Sequence, residues 1–403
     1  MKIYKRAFAR KRMKAYLTVK TYRYFFAGLI FFVSAFSSVS AQSVFEYKGY
    51  LQNMQSVWAQ KHSGETWISG GITNRFDFAL YPNDNFTVNL GLRNLLDYGN
   101  IVRLTPGYSD FVSRDDGWID LTKKWSDGNS YVFYSSIDRL NIFYSSDNVE
   151  LQAGRQRINW GVNLVWTPND IFNSSSYLNF DYVEKPGSDA LRAQYYLGIS
   201  SSLQFVYKLD AEKKVSAAAM FKFNEWDYDF QLFAGQMKDD IVFGGGWSGN
   251  LYDANFSGEI TYFRDKDNFS DSVGVLVSSL GGTYSFENGF YLHGEFLFNS
   301  GGTTGKAGGI LNLFTQPYDA KNLSPAKYSL FGELSYPVTP LIRADVSAIF
   351  NPSDKSFYVG PFVDISLSQS VYLLLAGQFF SGSEGTEWGD FGEFYFLRVK
   401  WSF

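Results

Sequence analysis

Cysteine is absent from all 403 residues. That excludes disulfides, thiolate metal sites and attachment of a lipid to an N-terminal cysteine. Histidine occurs only twice, as His62 and His293, which leaves little material for a histidine metal site or for Ser-His catalysis. A helical period is also missing, and the one long apolar run is 24–36, YFFAGLIFFVSAF. Its 13 residues fall short of the roughly 20 that an apolar helix needs to cross a bilayer.

That run sits behind nine basic residues, from Lys2 to Arg23, with no acidic residue among the first 41. It is followed by Val39-Ser40-Ala41. A basic region, an apolar region and a small-residue exit make a secretory signal peptide, here 1–41, with 42–403 as the exported chain. Met13 would serve equally well as a start. Setting the nine basic residues aside from 36 leaves 27 against 40 acidic ones, a net charge near −13. No basic surface for nucleic acid survives that balance.

What the chain does have is aromatic side chains, 19% of the total with 39 Phe and 28 Tyr, together with 37 Gly. The mean hydropathy is nevertheless −0.18, too polar for a bundle of membrane helices. From Phe45 onward apolar residues alternate with polar or small ones, as at Leu203, Phe205, Tyr207, Leu209 and at Ile342, Ala344, Val346, Ala348, Phe350. Period two means strands with unlike faces.

Connections fall into two sets. Short ones, such as Ser368-Gln369, Glu287-Asn288-Gly289 and Pro82-Asn83-Asp84, alternate with long ones at 96–130, 160–188, 300–327 and 384–390. Short turns at one end and long loops at the other are expected of an outer-membrane barrel. Strict alternation predicts eighteen strands, beginning 45–58, 66–81, 85–96, 131–144, 148–158 and 189–199 and ending 370–381 and 391–403; sixteen is the competing count. The expected fold is an all-β, up-and-down antiparallel transmembrane barrel over 42–403, with no plug domain ahead of the first strand.

The last ten residues, FYFLRVKWSF, place Tyr395, Leu397, Val399, Trp401 and Phe403 on one face, with Arg398 and Lys400 on the other. In hydrocarbon every backbone polar group must be paired, so the apolar face meets lipid and the polar face a lumen. A strand ending in an aromatic residue also resembles the C-terminal signal read by the barrel-assembly machinery. Expected partners are therefore that machinery, through Phe403, and outer-membrane lipid and lipopolysaccharide; assembly into homo-oligomers is compatible with the pattern.

The same alternation assigns Arg192, Lys208, Lys222, Arg343, Arg398 and Lys400, with Glu259, Glu295, Glu333, Asp345 and Asp364, to the lumen. Paired charges on a solvated wall are the bland account; rings that set selectivity are the functional one. One stretch breaks the rhythm: Gly154-Arg155-Gln156-Arg157-Ile158-Asn159-Trp160-Gly161, then Trp166-Thr167-Pro168-Asn169-Asp170. This segment resembles one in alginate-export-type barrels and related porin-like families, in which such a strand leads into an irregular loop. The resemblance implies an outer-membrane porin of a Gram-negative cell and says nothing of substrate. Arg155, Arg157, Asn159 and Asp170 then belong either to a constriction made by loop 159–188 folding inward, or to an external loop capped by Trp160 and Trp166 at the membrane interface.

The expected function is passive passage or export of small hydrophilic solutes, without enzyme activity, cofactor or metal. Two other classes compete. A non-conducting barrel would bind or adhere through its long loops, and a barrel lipid hydrolase would need polar residues facing lipid near one rim. His293, beside Glu295, is read as a hydrogen-bonded lumen residue.

Overall fold

The computed structural model describes residues 44–309 and 318–403; the signal peptide read at 1–41 lies outside them. Nineteen strands form one antiparallel sheet. The first nine are β1 (Phe45–Ala59), β2 (Thr66–Asn83), β3 (Phe86–Gly99), β4 (Thr122–Gly128), β5 (Tyr131–Ser146), β6 (Val149–Gln156), β7 (Ser188–Tyr196), β8 (Ser202–Leu209) and β9 (Val215–Glu225). Then come β10 (Tyr228–Met237), β11 (Asp240–Leu251), β12 (Ala254–Asp265), β13 (Val275–Ser285), β14 (Tyr291–Asn299), β15 (Tyr328–Thr339), β16 (Ile342–Asn351), β17 (Ser356–Ser366), β18 (Val371–Ser381) and β19 (Glu393–Ser402).

Each strand pairs with its chain neighbour except that β3 pairs directly with β5, and β1 closes the ring on β19. The wall is thus a closed barrel of eighteen strands, with β4 as a short addition to the edge of β5. Closure gives each of the eighteen wall strands a partner on both sides. The expected spans agree with the observed strands to within three residues. β4 was not anticipated, nor were the two short helices α1 (Asn100–Leu104) and α2 (Tyr108–Val112) in the 100–130 connection.

The faces divide as alternation requires. Outward residues on β15 to β17 include Leu330, Leu334, Val346, Phe350 and Phe357, all exposed. On β19 Tyr395, Leu397, Val399 and Trp401 are 39–47% exposed, while Arg398 and Lys400 point inward.

The interior departs from a uniformly polar lumen. Inward Val206, Met220, Phe233, Val242, Phe263, Val277 and Leu297 form a buried apolar cluster with Ile158, Trp160, Trp166 and Phe172 of the 157–187 connection. That connection folds into the barrel and covers them, which removes both partners' apolar surface from water. Trp160 and Trp166 are 1% and 4% exposed, so they are core residues and not an interfacial girdle.

The wall is modified where the chain turns inward. β6, β7 and β8 are only 8, 9 and 8 residues long, and β6 ends at Gln156. The upper edge of β5 that β6 leaves unpaired is taken by β4, and Gly117 bridges to Asp210 beyond β8. Segment 113–128 therefore patches the notch.

Candidate functional site

The 157–187 loop crosses the lumen and is tied to opposite walls. Its first half hangs on two inward carboxylates. Glu259 on β12 accepts hydrogen bonds from the backbone N–H groups of Val162, Asn163 (2.6 Å) and Asn169 (2.8 Å). Glu295 on β14 accepts those of Leu164 (2.9 Å), Val165 (2.9 Å) and Trp166 (3.0 Å). His293 Nε2 lies 3.0 Å from Glu295 Oε1 and its Nδ1 3.3 Å from Glu333, which orients the carboxylate.

Side-chain bonds add to the latch: Ser257 and Ser279 engage Asn163, and Thr261 donates to Asn169 Oδ1 at 2.7 Å. The Asn169 amide reaches Gly245 O at 2.9 Å. A Cβ on neighbouring Gly246 would stand 2.8 Å from Asn169 Nδ2, so glycine is required for that approach. Both glutamates were expected to line an open passage. They do face inward, but at 1% and 4% exposure the loop amides cover them, because a bare carboxylate inside a barrel is best stabilised by N–H donors.

The second half of the loop is held by β1, β2, β3, β5, β15, β18 and β19. Gln378 Nε2 donates to Leu178 O at 3.3 Å, and Tyr177 packs edge-on to Phe331 with ring centres 4.9 Å apart. Asp181 accepts from Gln52 (3.2 Å) and Arg398 (3.3 Å). Tyr182 OH donates to Asp138, which also takes Arg75 Nη1 at 2.6 Å. Arg93 stacks on the Tyr182 ring at 3.7 Å, and Arg139 donates to the carbonyls of Glu184 and Lys185.

Tyr177 stands between two cavities. A cavity of about 450 Å³ at the long-loop end is lined by Tyr177, Leu178, Thr303, Tyr318, Asn322, Ser324, Glu387 and Trp388, among others. A second, of about 320 Å³ in the short-turn half, is lined by Tyr177, Phe180, Glu333, Arg343, Tyr358, Asp364, Gln378 and Arg398. Tyr177 belongs to both. A third cavity, of about 400 Å³, lies across the lumen against Lys222, Asp229, Gln231 and Val162.

Among solved structures, the fold is matched by outer-membrane barrels. OccAB3 of Acinetobacter baumannii is 11% identical with a TM-score of 0.58, covering 89% of this chain and 99% of that one. OccD3 (OpdP) of Pseudomonas aeruginosa is 9% identical with a TM-score of 0.57, covering 90% and 93%. The outer membrane protein OprD of Pseudomonas aeruginosa is 9% identical with a TM-score of 0.56, covering 90% and 95%. No family model matches the chain, and no curated protein does. These likenesses establish the fold; they do not show the alginate-export resemblance of the 154–173 segment.

The remaining sequence-derived residues are distributed as follows. Arg343 pairs with Asp345 and Asp364, each at 3.2 Å, in the lower cavity near Glu333. Arg192 pairs with Glu150 at 3.3 Å, Lys222 lines the third cavity, and Lys400 stands 4.0 Å over the Tyr50 ring. Lys208 donates to Phe172 O at 2.6 Å and so serves the loop. Arg157 and Asn159 are exposed where the chain leaves β6, and Asp170 is buried, capping Asn173 N at 3.4 Å.

Arg155 does not line the lumen. Its register partner is Leu140, 41% exposed on the outward face, and the guanidinium is buried beneath segment 115–121. There it holds Asp189 (2.7 and 2.9 Å), Asp115 (2.7 Å) and the Ile119 carbonyl (2.6 Å). The physical reason is alternation itself: Arg155 shares its face with Ala153 and Leu151, in unbroken register with Leu140, Ile142 and Tyr144.

Tyr177, Leu178, Phe180, Asp181 and Tyr182 were missed by sequence reasoning. A usable signal was present, since β10 to β14 carry apolar residues on both faces, Phe233, Val242, Phe263, Val277 and Leu297 inward. Strands of that kind need an apolar partner inside the barrel.

Glu387, in the loop between β18 and β19, joins three loops at the mouth. It accepts from Ser324 Oγ at 2.9 Å and Asn351 Nδ2 at 3.0 Å, while its own N–H donates to Asp354 at 2.7 Å. Burial, with the Asp354 charge nearby, pushes its carboxyl up to about 7. A raised carboxyl stabilises the fold fully below its unfolded value of 4.5 and loses that contribution as pH rises through about 7. The thermal midpoint in detergent should therefore fall between pH 5 and pH 8, by an amount equivalent to roughly 3 kcal/mol at most. Glu387→Gln should flatten that profile, and an unchanged slope in the variant would refute the assignment.

Proposed function

We propose that the chain is a channel of the bacterial outer membrane through which small hydrophilic solutes diffuse, narrowed by the inward 157–187 loop. The observation that carries this reading is Tyr177, which lines the cavity at the long-loop end and the cavity in the short-turn half. The long loops are taken as extracellular and the short turns as periplasmic. The segment 154–173, read from sequence as porin-like, is the start of this loop.

The lumen charge supports a preference for anions although the exported chain is acidic. Arg157 and Lys185 have no carboxylate ion pair among the described residues, whereas Glu259 and Glu295 are spent on loop amides, as Arg93 and Arg139 are on Tyr182 and the loop carbonyls. Burial and then the Arg157 charge lower the pKa of Lys185, as expected where cations crowd.

The test is single-channel recording from refolded residues 42–403 in a planar bilayer under a salt gradient. Stable currents with an anion-selective reversal potential are expected. Tyr177→Ala should pass a current roughly twofold larger, because the narrowest section limits flow. A folded barrel that never conducts would turn the assignment to a surface-binding barrel.

A further inference from the structure

The two cavities that meet at Tyr177 share a chemical character. Tyr318 and Trp388 line the one at the long-loop end, Phe180, Tyr358 and Phe362 the one in the short-turn half, and Tyr177 lines both. Aromatic rings therefore follow one another along the passage. Tyr318 is 37% exposed, and Tyr177, Phe180 and Phe362 are half-buried, so these four are not closed into the core. Tyr177 and Phe180 pack at steep angles against Phe331 and Phe396, with ring centres 4.9 and 5.2 Å apart. T-shaped packing covers at most one face of a ring, and each of the two keeps a face on which no other ring stacks.

The charged side chains on these cavities are matched within the protein. Lys306 donates to Glu384 O at 2.6 Å, and Glu387 accepts from Ser324 and Asn351. Arg343 pairs with Asp364, Arg398 with Asp181 and Glu333 with His293. What stays unmatched is a neutral donor. The indole N–H of Trp388, a residue 7% exposed in the wall of the long-loop cavity, has no hydrogen-bond partner among the described residues. A buried donor left open calls for an acceptor that the protein does not supply.

We propose that this ring-lined path is a binding site for neutral sugars, in particular short linear oligosaccharides. A sugar ring has a face of C–H groups that packs on the electron-rich face of an aromatic ring, and an edge of hydroxyls that both donate and accept. Aromatic rings beside Thr303, Asn322, Gln378 and the Trp388 N–H complement both parts. Matched ion pairs, in contrast, give a charged solute no free counter-charge. Arg157 and Lys185, which bias small ions, line neither cavity. At about 450 and 320 Å³ the cavities fall in the range of small-ligand sites, and their meeting at Tyr177 suits a chain of sugar units. The inference rests on the proposed channel and adds the class of solute to it.

Maltotriose added to the long-loop side of a planar bilayer should interrupt the current through refolded residues 42–403 in a saturable way. Polyethylene glycol of equal mass should lower the current without saturation. Phe180→Ala and Phe362→Ala should each raise the half-blocking concentration roughly tenfold, the effect of one lost ring contact. Phe362→Tyr should retain the block, and Leu330→Ala on the outward face should not move it. Heat-modifiable mobility verifies folding of each variant. A conducting wild type without saturable block, or half-blocking concentrations unmoved in both ring variants, would overturn the sugar site and leave the channel standing. Tighter block by phenol than by maltotriose would overturn it in favour of aromatic solutes. A barrel that never conducts removes the channel, and calorimetric titration of the detergent-solubilised protein with maltotriose then decides the site: binding weakened by Phe362→Ala supports it, and no binding overturns it.

Discussion

Glu295→Ala, and more so Glu259→Ala with Glu295→Ala, should release the first half of the constriction loop and give larger, flickering single-channel currents. Glu295 alone satisfies three consecutive backbone donors, Leu164 to Trp166. Truncation leaves them without acceptors in a site from which the loop excludes water, at about 1–3 kcal/mol for each unsatisfied group. The polar wall contacts that remain, of Asn163 with Ser257 and Ser279 and of Asn169 with Thr261 and Gly245, engage side chains and leave these backbone donors unmatched. The barrel itself should survive, because its ladder bonds do not involve this side chain. Proteolysis from the long-loop side should then cut within 160–170, where the wild type resists. Glu295→Gln should be milder, since its amide oxygen still accepts. Wild-type currents and wild-type protease resistance in the double variant would show that packing of Trp160 and Trp166 holds the loop without the carboxylates.

Arg155→Met should loosen the wall itself. The guanidinium is 5% exposed, between Asp115 and Asp189 at 6% and 8%. Removing it leaves two buried carboxylates without their cation, a loss of about 3–5 kcal/mol by the behaviour of broken buried pairs. Those carboxylates also organise the patch, since Asp115 accepts from the N–H groups of Gly117 and Leu121, both at 2.8 Å, and Asp189 from that of Ile119 at 2.9 Å. The expected result is a lower unfolding temperature with early protease cleavage in 113–121. Replacing all three charges together, Arg155→Met with Asp115→Asn and Asp189→Asn, should recover much of the loss. Failure of that triple variant to recover would mean that the ion pair positions the patch as well as neutralising it. Gly117 offers an independent check: a Cβ there would lie 2.0 Å from Arg155 Nη2, so Gly117→Ala should displace the guanidinium and mimic part of the defect.

Much of the wall could be read residue by residue. The face of β19 follows from Tyr395, Leu397, Val399 and Trp401 alternating with Arg398 and Lys400, and the inward placement of Glu259, Glu295, Glu333, Arg343 and Asp364 follows from the same rule. Arg155 obeys that rule too, on the outward face with Leu151 and Ala153 in unbroken register. Its expected inward place came from the irregular 154–161 stretch and not from the strand period. β4 was read as loop because its partner edge exists only after β6 has left the wall. The tie between Glu295 and Leu164, 131 positions apart in sequence, has no local signature, since its donors are backbone groups that every residue carries.

The alternation of faces, the short and long connections and the lack of cysteine together determined an eighteen-strand barrel without covalent staples, because strand period and turn length are local properties that the bilayer turns into a closed ring. Which inward residues meet solute and which are spent on holding a loop was decided only by tertiary structure. Two chemically identical lumen carboxylates can line a passage or vanish beneath six backbone N–H groups. The difference lies in where a distant segment comes to rest, and that is settled by the apolar surface the folded interior offers it.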